Sequence, residues 1–425
     1  MNDAGTPIAA WLTRLESLSA REIDLGLERV EQLLERLNLE LPATVLHVAG
    51  TNGKGSCVAM LESILRSTGR TVGCYTSPHV LRYNERIRVA GAEASDEDIV
   101  RAFARIEAVR ADTPLTYFEY GTLAALVVFV EQGTEIAILE VGMGGRLDAV
   151  NAIEPQASLI TNVSLDHCDW LGDDIESVAF EKAGIMRAGK PTVFGDRIVP
   201  AAITSRAADI GTALILPGRD YDWSSGSTGW EWRGASHQLA GLERPGLAGV
   251  HQLGNAAAVL ALLEVAGFAD LLQAERVNDA LTGIRLDGRM QRLEDDPRWL
   301  FDVAHNPAAA TALEATLRAD PPAGRTIAIL GLLDDKDVAG VVAPLSTVVD
   351  QWITVTADSP RAVSAEDLAK FIIERPGSQS IVAGSIADAI ATASTLAGAE
   401  DRILVTGSFY LVGPAISELY SRRTQ

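Results

Sequence analysis

Residues 50–56, GTNGKGS, contain three glycines and a lysine between an apolar strand-like run and a helix-like run. Glycines there let backbone N–H groups approach phosphate oxygens, and the start of the helix adds a partial positive charge. Lys54 can then reach the β- and γ-phosphates of a nucleotide, and the Ser56 hydroxyl is a candidate Mg²⁺ ligand. The match to the common G-x-x-x-x-G-K-[ST] pattern is imperfect because Gly55 follows the lysine. We predict phosphate binding, with a plain tight turn as the alternative.

Two further polar side chains follow apolar strand-like runs. Glu140 ends one such run and enters a glycine-rich turn, and His167 follows another. Ligands bind at the carboxyl ends of parallel strands, so both residues are candidates for a site there. Histidine is an unusual Mg²⁺ ligand. From residue types alone, Glu140 is equally well an exposed strand-end carboxylate, and His167 is better explained as a hydrogen-bonded loop histidine.

The elements that must position these residues form two α/β series. The strand-like runs are apolar without alternation and are separated by helix-like runs, which indicates a parallel sheet covered on both faces. We predict an α/β fold with a P-loop parallel-sheet N-terminal domain at 1–286 and a smaller Rossmann-like α/β C-terminal domain at 287–425. The predicted strands are 44–50, 71–77, 135–142, 157–164, 299–304, 326–332, 351–357, 380–384 and 402–408.

Helices are predicted between these strands, and a different stretch interrupts the first series. Residues 220–249 are rich in Gly, Ser and Trp, which indicates a small β-hairpin excursion. The predicted helices lie within 7–39 and at 57–69, 96–109, 122–132, 256–266, 274–282, 308–318, 337–346, 364–373 and 385–396.

The composition restricts the partners and the compartment. The 425 residues carry a net charge of −21, which argues against nucleic acid or an anionic membrane as the main partner. Cys57, Cys74 and Cys168 form no disulfide framework and show no zinc-site spacing, as expected in a reducing cytoplasm. The N-terminus lacks the pattern of a signal peptide, and no apolar run is long enough to span a membrane. We predict a cytoplasmic protein.

The run HVAGTNGKGS at 47–56 resembles the P-loop of the Mur-ligase superfamily. Further motifs are similar to those of its folate branch, the bifunctional dihydrofolate synthase/folylpolyglutamate synthases, and they cover nearly the whole chain. There are two departures, because Cys57 stands where a second hydroxyl residue is usual and Val303 where glycine is usual. The motifs lie at 76–87, 115–122, 139–151, 161–167, 181–185, 251–257, 288–291, 302–307, 331–337 and 405–413.

This resemblance implies an ATP-dependent ligase. It would join L-glutamate to dihydropteroate, giving dihydrofolate, and add further glutamates to reduced folates through an acyl phosphate. It would act as a monomer with Mg²⁺ at two sites. The implied metal ligands are Ser56, Ser77, Glu140 and His167. The implied ATP contacts are Gly53, Lys54, Gly55, Ser56, Cys57, Asn255, Arg289, Asp302 and His305.

Some of these residues also suit the nucleotide on chemical grounds. The Asn255 amide can pair with the mixed donor and acceptor edge of adenine, although a helix N-cap is a serious alternative. The Arg289 guanidinium suits phosphate oxygens, and Asp302 at a strand end can accept from ribose hydroxyls. Ordinary surface or capping roles are equally good explanations of Arg289 and Asp302 without the resemblance.

The resemblance also implies a pteroyl site and a modified lysine. Tyr117 and Phe118 suit stacking on a flat pterin ring, although aromatic residues more often pack in the core. Glu119 or Asp148 can accept the ring N–H donors. Lys54, Lys182 and His167 would be catalytic, with Lys182 carbamylated, whereas residue type alone favours a surface lysine at 182 early in a helix. The implied dihydropteroate contacts are Thr116, Tyr117, Phe118, Glu119, Leu147, Asp148 and Ala149.

Two other functions remain open. Another Mur-type amino-acid ligase, for example one acting on a cell-wall nucleotide precursor, is disfavoured because the P-loop begins at Gly50 and leaves no room for an N-terminal UDP-binding domain. A P-loop nucleotide switch or binding protein without ligase chemistry is disfavoured by the second α/β domain.

Overall fold

A computed structural model describes residues 7–18, 24–226, 229–374 and 379–423. The chain packs as two compact units. The first unit contains the chain up to Val163 and the segments Ile175–Pro245 and Leu253–Ile284. The second contains Ser164–Asp174, Gly246–Gln252 and the chain from Arg285 onward. Both units are α/β, as predicted, and the proposed domain boundary between residues 286 and 287 remains a prediction.

The first unit is built on an eight-stranded sheet beside a small three-stranded antiparallel one. The strands are β1 (Thr44–Ala49), β2 (Val72–Tyr75), β3 (Ile87–Val89), β4 (Ala92–Glu93), β5 (Ile136–Glu140), β6 (Ala157–Ile160), β7 (Pro191–Phe194), β8 (Ala213–Ile215), β9 (Asp222–Ser225), β10 (Trp230–Arg233) and β11 (Gln238–Leu242). The helices up to Ile284 are α1 (Ile8–Leu18), α2 (Glu28–Leu37), α3 (Lys54–Arg66), α4 (Asp96–Arg110), α5 (Tyr117–Glu131), α6 (Cys168–Leu171), α7 (Ile175–Ala183), α8 (Ala201–Ile210), α9 (His251–Val265) and α10 (Ala274–Thr282).

The large sheet is parallel except at one edge. Its order is β4-β3-β2-β5-β1-β6-β7-β8, in which β3 is antiparallel to β2 and β4 is antiparallel to β3. Every residue of β5 is buried, as a strand covered on both faces requires. Apolar residues of α4 and α5 pack with those of α1 and α2 in one core, and α3 packs against β1, β2 and β5. The prediction of a covered parallel sheet is therefore confirmed.

Two helices begin earlier than the sequence pattern predicted. α3 starts at Lys54 rather than at residue 57, so the lysine of the phosphate loop already belongs to the helix. α5 starts at Tyr117 rather than at residue 122 because Thr116 and Glu119 form a capping box. The Thr116 hydroxyl accepts from the Glu119 N–H at 3.2 Å, and the Glu119 carboxylate accepts from the Thr116 N–H at 2.7 Å.

The predicted β excursion at 220–249 is confirmed as the three-stranded sheet β9–β11, in the order β11-β10-β9. Trp230 and Trp232 of β10 are buried, and the Trp232 indole N–H donates to the carbonyl of Ala257 in α9 at 3.0 Å. The excursion therefore packs on the helical part of the first unit.

The second unit has a six-stranded sheet in the order β12-β13-β17-β14-β15-β16. Only β12 is antiparallel to its neighbour. The strands are β12 (Gln291–Leu293), β13 (Asp296–Asp302), β14 (Thr326–Leu330), β15 (Gln351–Thr354), β16 (Ser380–Val382) and β17 (Arg402–Thr406). The helices from Arg285 onward are α11 (Pro307–Ala319), α12 (Val338–Leu345), α13 (Ala365–Ile373), α14 (Ile386–Leu396) and α15 (Phe409–Arg423), and α6 also belongs to this unit.

Within the described ranges, no helix combines the length and apolar character that a membrane crossing requires.

One buried side chain in β1 has no hydrogen bonds. His47 is fully buried, and neither of its ring nitrogens has a partner. Burial, with a smaller effect from Arg187, lowers its pKa to about 3. The imidazole is therefore neutral in the folded protein at neutral and mildly acidic pH.

We expect His47→Leu to stabilise the protein at acidic pH. The unfolded chain binds a proton at this residue below a pH of about 6.5, whereas the folded chain does not, so stability falls by about 1.4 kcal/mol per pH unit down to a pH of about 3. Between pH 7 and pH 5, urea unfolding should show a loss about 2 kcal/mol smaller in the variant than in the wild type. An equal loss in both proteins would contradict this account.

Candidate functional site

The phosphate loop between β1 and α3 is fastened to the end of β6. The Asn52 N–H donates to the Asn162 side-chain oxygen at 3.0 Å. The Thr161 hydroxyl and the Asn162 side-chain amide both donate to the Asn52 carbonyl, at 2.6 and 2.9 Å. The Thr51 N–H donates to the Asn162 carbonyl at 3.0 Å. These two residues of the TNVSLDH motif therefore hold the loop, a role that the sequence did not reveal.

Two glycines of the loop lie too close to other side chains to be replaced. A Cβ at Gly50, whose φ is +143°, would lie 1.8 Å from the Thr161 hydroxyl. A Cβ at Gly53, whose φ is +84°, would lie 2.9 Å from the Asn255 side-chain oxygen. Asn255 thus lies directly against the phosphate loop. Its alternative role as a helix N-cap is wrong, because α9 begins four residues earlier at His251.

Lys54 lies over the loop that it follows. Its ammonium donates to the carbonyls of Gly50 and Thr51, each at 3.1 Å. Ser56 and Cys57 are buried in the first turns of α3, and the Cys57 sulfur lies 4.0 Å from the Asn255 carbonyl. Burial, with a further effect from Glu140, raises the pKa of the Cys57 thiol, so it remains protonated.

Glu140 ends β5 and is buried, so the alternative of an exposed strand-end carboxylate is wrong. The Ser77 N–H donates to its Oε2 at 3.3 Å. A Cβ on Gly55 would lie 3.8 Å from the same oxygen, which places the carboxylate beside the first turn of α3. The fold therefore brings Glu140, Ser77 and the phosphate loop together in the first unit.

The predicted pteroyl segments lie at the start of α5 and in the turn after β5. Tyr117 and Phe118 are half-buried and pack against the core of the first unit, so the core-packing alternative is partly right. The Phe118 ring covers Gly142, where a Cβ would lie 2.5 Å from its Cζ. Leu147 is half-buried and accepts through its carbonyl from the Gly26 N–H at 3.2 Å. Ala149 is buried and begins a short 3-10 turn.

The two carboxylates predicted to accept ring N–H donors already have partners. Glu119 accepts from the Arg29 guanidinium at 2.9 Å with one oxygen and from the Thr116 N–H with the other. The two Asp148 oxygens accept from the N–H groups of Met143 and Val150, each at 2.9 Å. Burial raises the pKa of Asp148 to about 6. Both carboxylates therefore fix the backbone of their own segments, the start of α5 and the turn after β5.

Lys182 differs from its predicted environment. It is the penultimate residue of α7 rather than an early one, and it is buried. The expectation of a surface lysine is therefore wrong. Sequence alone could not show this burial, because α7 is only weakly amphipathic and has a charged residue directly before the lysine.

In the second unit, Asp302 organises the turn that contains Arg289. Its carboxylate accepts from the Met290 N–H at 3.0 Å and from the Ala304 N–H at 2.9 Å. Burial raises the pKa of Asp302, and the neighbouring Arg289 opposes that effect. The Arg289 guanidinium lies 5.2 Å from the centre of the Phe409 ring. The fold therefore brings Arg289 and Asp302 together, and their role in binding a nucleotide stays a prediction.

A buried ionic cluster that the sequence did not reveal surrounds Asp166. Its carboxylate lies 2.6 Å from the Lys336 ammonium and 3.4 Å from His305 Nε2, and it accepts from the Asn306 amide at 3.0 Å. Burial would raise the pKa of Asp166, but the His305 hydrogen bond and the surrounding positive charges hold it well below its usual range. Three motifs, SLDH, DVAHNP and GLLDDKD, therefore meet at one carboxylate.

His167 belongs to the same unit as this cluster. It adopts a left-handed backbone with φ of 53°, and its Nδ1 lies 3.5 Å from the Asp335 carboxylate. Ser77 and Glu140 belong to the first unit. The local geometry agrees with a loop histidine that has an acidic partner, and the metal-ligand role of His167 stays a prediction.

Among the described residues, no group of three or more His, Cys, Asp and Glu side chains could hold a metal ion. Mg²⁺ usually takes one or two carboxylates and completes its shell with water and phosphate oxygens. Glu140, next to two serines and a phosphate loop, meets that requirement. A site of the zinc type is not found in this part of the chain.

Comparison with known proteins identifies relatives along the whole chain. Residues 48–195 match the Mur ligase middle domain, and residues 288–409 match the Mur ligase glutamate ligase domain. The dihydrofolate synthase/folylpolyglutamate synthase of Escherichia coli K12 is 42% identical over 422 residues, which cover 99% of this chain and 97% of that protein. Neither alternative function, a different Mur-type ligase or a nucleotide switch, is supported by this similarity.

Solved structures have the same fold over nearly the whole chain. Escherichia coli FolC in complex with DHPP and ADP superposes with a TM-score of 0.93 at 41% identity and 100% coverage of both chains. A bifunctional folylpolyglutamate synthase/dihydrofolate synthase with Mn, AMPPNP and L-glutamate bound superposes with a TM-score of 0.90 at 41% identity, covering 98% of this chain and 99% of that one.

We expect Gly50→Ala to destabilise the first unit and to abolish nucleotide binding. The new methyl group would overlap the Thr161 hydroxyl, and the backbone strain alone costs about 1–3 kcal/mol. Gly55→Ala is the matched control for stability, because its nearest neighbour would be 3.8 Å away and its unfolding free energy should change by less than about 0.5 kcal/mol. Thermal unfolding measures the stability of both variants. Equal stability of the two variants would show that the loop is not held as described.

Proposed function

This chain belongs to the dihydrofolate synthase/folylpolyglutamate synthase family of Mur ligases, and from that premise we propose how its residues carry out the reaction. It is an ATP-dependent ligase that joins L-glutamate to dihydropteroate and adds glutamate to folates. The observation that carries the proposal is the buried Glu140 carboxylate beside the first turn of α3, next to a phosphate loop fastened by Thr161 and Asn162.

The chemistry needs an activated carboxylate, because a carboxylate oxygen is a poor leaving group. The γ-phosphoryl group of ATP passes to the carboxylate of dihydropteroate or of a folate, giving an acyl phosphate and ADP. The amine of L-glutamate then attacks the acyl carbon, phosphate leaves, and the nitrogen loses a proton as the amide forms. The protein contributes mainly positioning and charge stabilisation.

The phosphate loop supplies the first part of that positioning. We assign Gly53, Lys54, Gly55, Ser56 and Cys57 to the nucleotide phosphates. Loop N–H groups and the N-terminus of α3 favour negative charge there. The Lys54 ammonium, which now hydrogen-bonds two loop carbonyls, would bind the β- and γ-phosphates instead.

The family resemblance implies further nucleotide contacts outside the loop. The Asn255 amide lies against Gly53, where it can reach the nucleotide. In the second unit we assign Arg289 to phosphate oxygens and Asp302 to ribose hydroxyls, with His305 nearby. Asp302 would need a free lone pair, since both of its oxygens already accept backbone N–H groups.

A divalent metal ion would be held by Glu140, Ser56 and Ser77 in the first unit. When bound, Mg²⁺ neutralises the charge that develops on the transferring phosphoryl group. The burial of Glu140 beside α3 supports this donor set, because one carboxylate with hydroxyl, water and phosphate oxygens suits Mg²⁺. The second metal site and the ligand role of His167 rest on the family resemblance.

We assign dihydropteroate to the two segments around α5 and the turn after β5. Tyr117 and Phe118 provide half-buried aromatic surface for the pterin ring, between Thr116 and Glu119 of the capping box. Leu147, Asp148 and Ala149 form the facing segment. Asp148 has a pKa raised to about 6 by burial, so it is largely ionised at neutral pH and can accept a ring N–H through a remaining lone pair.

ATP, L-glutamate, dihydropteroate and reduced folates are the proposed small-molecule partners. The net charge of −21 supports the absence of a nucleic acid or membrane partner. A monomeric state and a cytoplasmic location are further parts of the proposal.

We expect ADP release by the purified protein with Mg²⁺ to depend on both dihydropteroate and L-glutamate. Glu140→Gln should lower kcat by at least about 100-fold, because it removes a charge beside the transferring phosphoryl group. Glu97→Gln, at an exposed position of α4, is the matched control and should behave as the wild type. A coupled assay comparing dihydropteroate with tetrahydrofolate measures both activities. ADP release at the same rate with and without dihydropteroate or tetrahydrofolate would refute the ligase assignment.

We also expect Lys182 to be carbamylated, which is supported by its burial, since a buried lysine ammonium is costly and the neutral amine reacts with CO₂. The resulting anion can help to organise a metal site. Lys182→Arg cannot be carbamylated and should lose activity, whereas Lys190→Arg at an exposed position should not. Native mass spectrometry should find one added CO₂ in the wild type and none in Lys182→Arg. Full activity of Lys182→Arg would rule the modification out as a requirement.

A further inference from the structure

Arg86 is a buried arginine in an unusual environment. It ends the 3-10 turn Tyr83–Arg86 and is 9% exposed. Its Nε donates to His79 Nδ1 at 2.9 Å. Its guanidinium carbon lies 5.3 Å from the centre of the Tyr83 ring and 5.4 Å from that of Tyr117. The side chain is thus held in place by one imidazole and two aromatic rings.

No carboxylate compensates this charge among the described residues. The terminal nitrogens of the guanidinium make no hydrogen bond to the described part of the chain, and neither of them is fully enclosed. The His79 imidazole, which accepts from Arg86 Nε, supplies no negative charge. Other arginines of this unit lie against carboxylates, in the pairs Arg29–Glu119, Arg88–Glu62 and Arg110–Glu107.

A buried charge without a counter-charge is costly, so a ligand anion is the natural partner for Arg86. Its position indicates which anion. The Arg86 carbonyl accepts from the Thr76 N–H at 2.9 Å, and the next residue, Ser77, donates to Glu140. On the other side the guanidinium lies over the Tyr117 ring. Arg86 is therefore placed between the phosphate-transfer end of the site and the proposed pteroyl segment.

We propose that the Arg86 guanidinium binds the carboxylate of the pteroyl substrate, the group that becomes phosphorylated, and so selects and orients it. The planar guanidinium can bind both carboxylate oxygens at once, and its rings and imidazole hold it ready for that contact. This inference rests on the proposed function and adds a specificity residue to it.

The test compares pteroate with its carboxamide, which keeps the shape and loses the charge. Calorimetric titrations use the full-length protein saturated with MgADP. The wild type should bind pteroate at least about 10-fold more tightly than the carboxamide, because a charged hydrogen-bonded pair is lost with the amide. Arg86→Gln should bind the two ligands with similar affinity. Arg86→Lys keeps the charge but not the planar guanidinium, so its preference for pteroate should lie between those of the wild type and Arg86→Gln.

Arg82→Gln is the matched control, since Arg82 precedes the same turn, is exposed and pairs with Glu93. It should keep the wild-type preference, and the ADP affinity of every variant should be unchanged. If Arg86→Gln does not fold, an unchanged preference in Arg86→Lys would overturn the proposal. Retained preference in Arg86→Gln, or equal binding of both ligands by the wild type, would overturn it while leaving the ligase function intact. Failure of the wild type to bind either ligand would refute the proposed function as well.

Discussion

The attachment of the phosphate loop to the end of β6 is the constraint on which the rest of the site depends. Asn52 is held from two sides by Thr161 and Asn162, and Gly50 leaves no space for a side chain between the strands. This attachment fixes where α3 begins, and hence the positions of Lys54 and of the helix N-terminus that favours anions. Because β5 lies next to β1 in the sheet, the same register brings the Glu140 carboxylate beside the first turn of α3.

Several buried charges in the described part of the chain are compensated within their own unit, and an uncompensated one indicates function. Asp166 is surrounded by Lys336, Asn306 and His305, and Glu119 by Arg29 and the start of α5. Such groups stabilise the local architecture, because removing one partner would leave a buried charge. Arg86 is different, since its guanidinium faces rings and a neutral imidazole.

The features that could be predicted from the sequence are those that depend on residues close together in the chain. Apolar strand runs, the glycine loop and the β excursion were confirmed, because periodicity and turn residues act over short distances. The early start of α5 could have been predicted from the T-x-x-E spacing of Thr116 and Glu119. The Asp166–Lys336 pair and the burial of Lys182 could not, because they depend on tertiary packing, and Asp166 and Lys336 are 170 residues apart in the chain.

The central claim is that this loop and its carboxylate transfer a phosphoryl group to the carboxylate of the pteroyl substrate. Dihydropteroate labelled with oxygen-18 in both carboxylate oxygens tests it most directly, when it is turned over with ATP and L-glutamate and the products are analysed by mass spectrometry. An acyl phosphate predicts that one labelled oxygen appears in inorganic phosphate and the other in the amide carbonyl. Unlabelled phosphate formed together with the amide product would contradict the account.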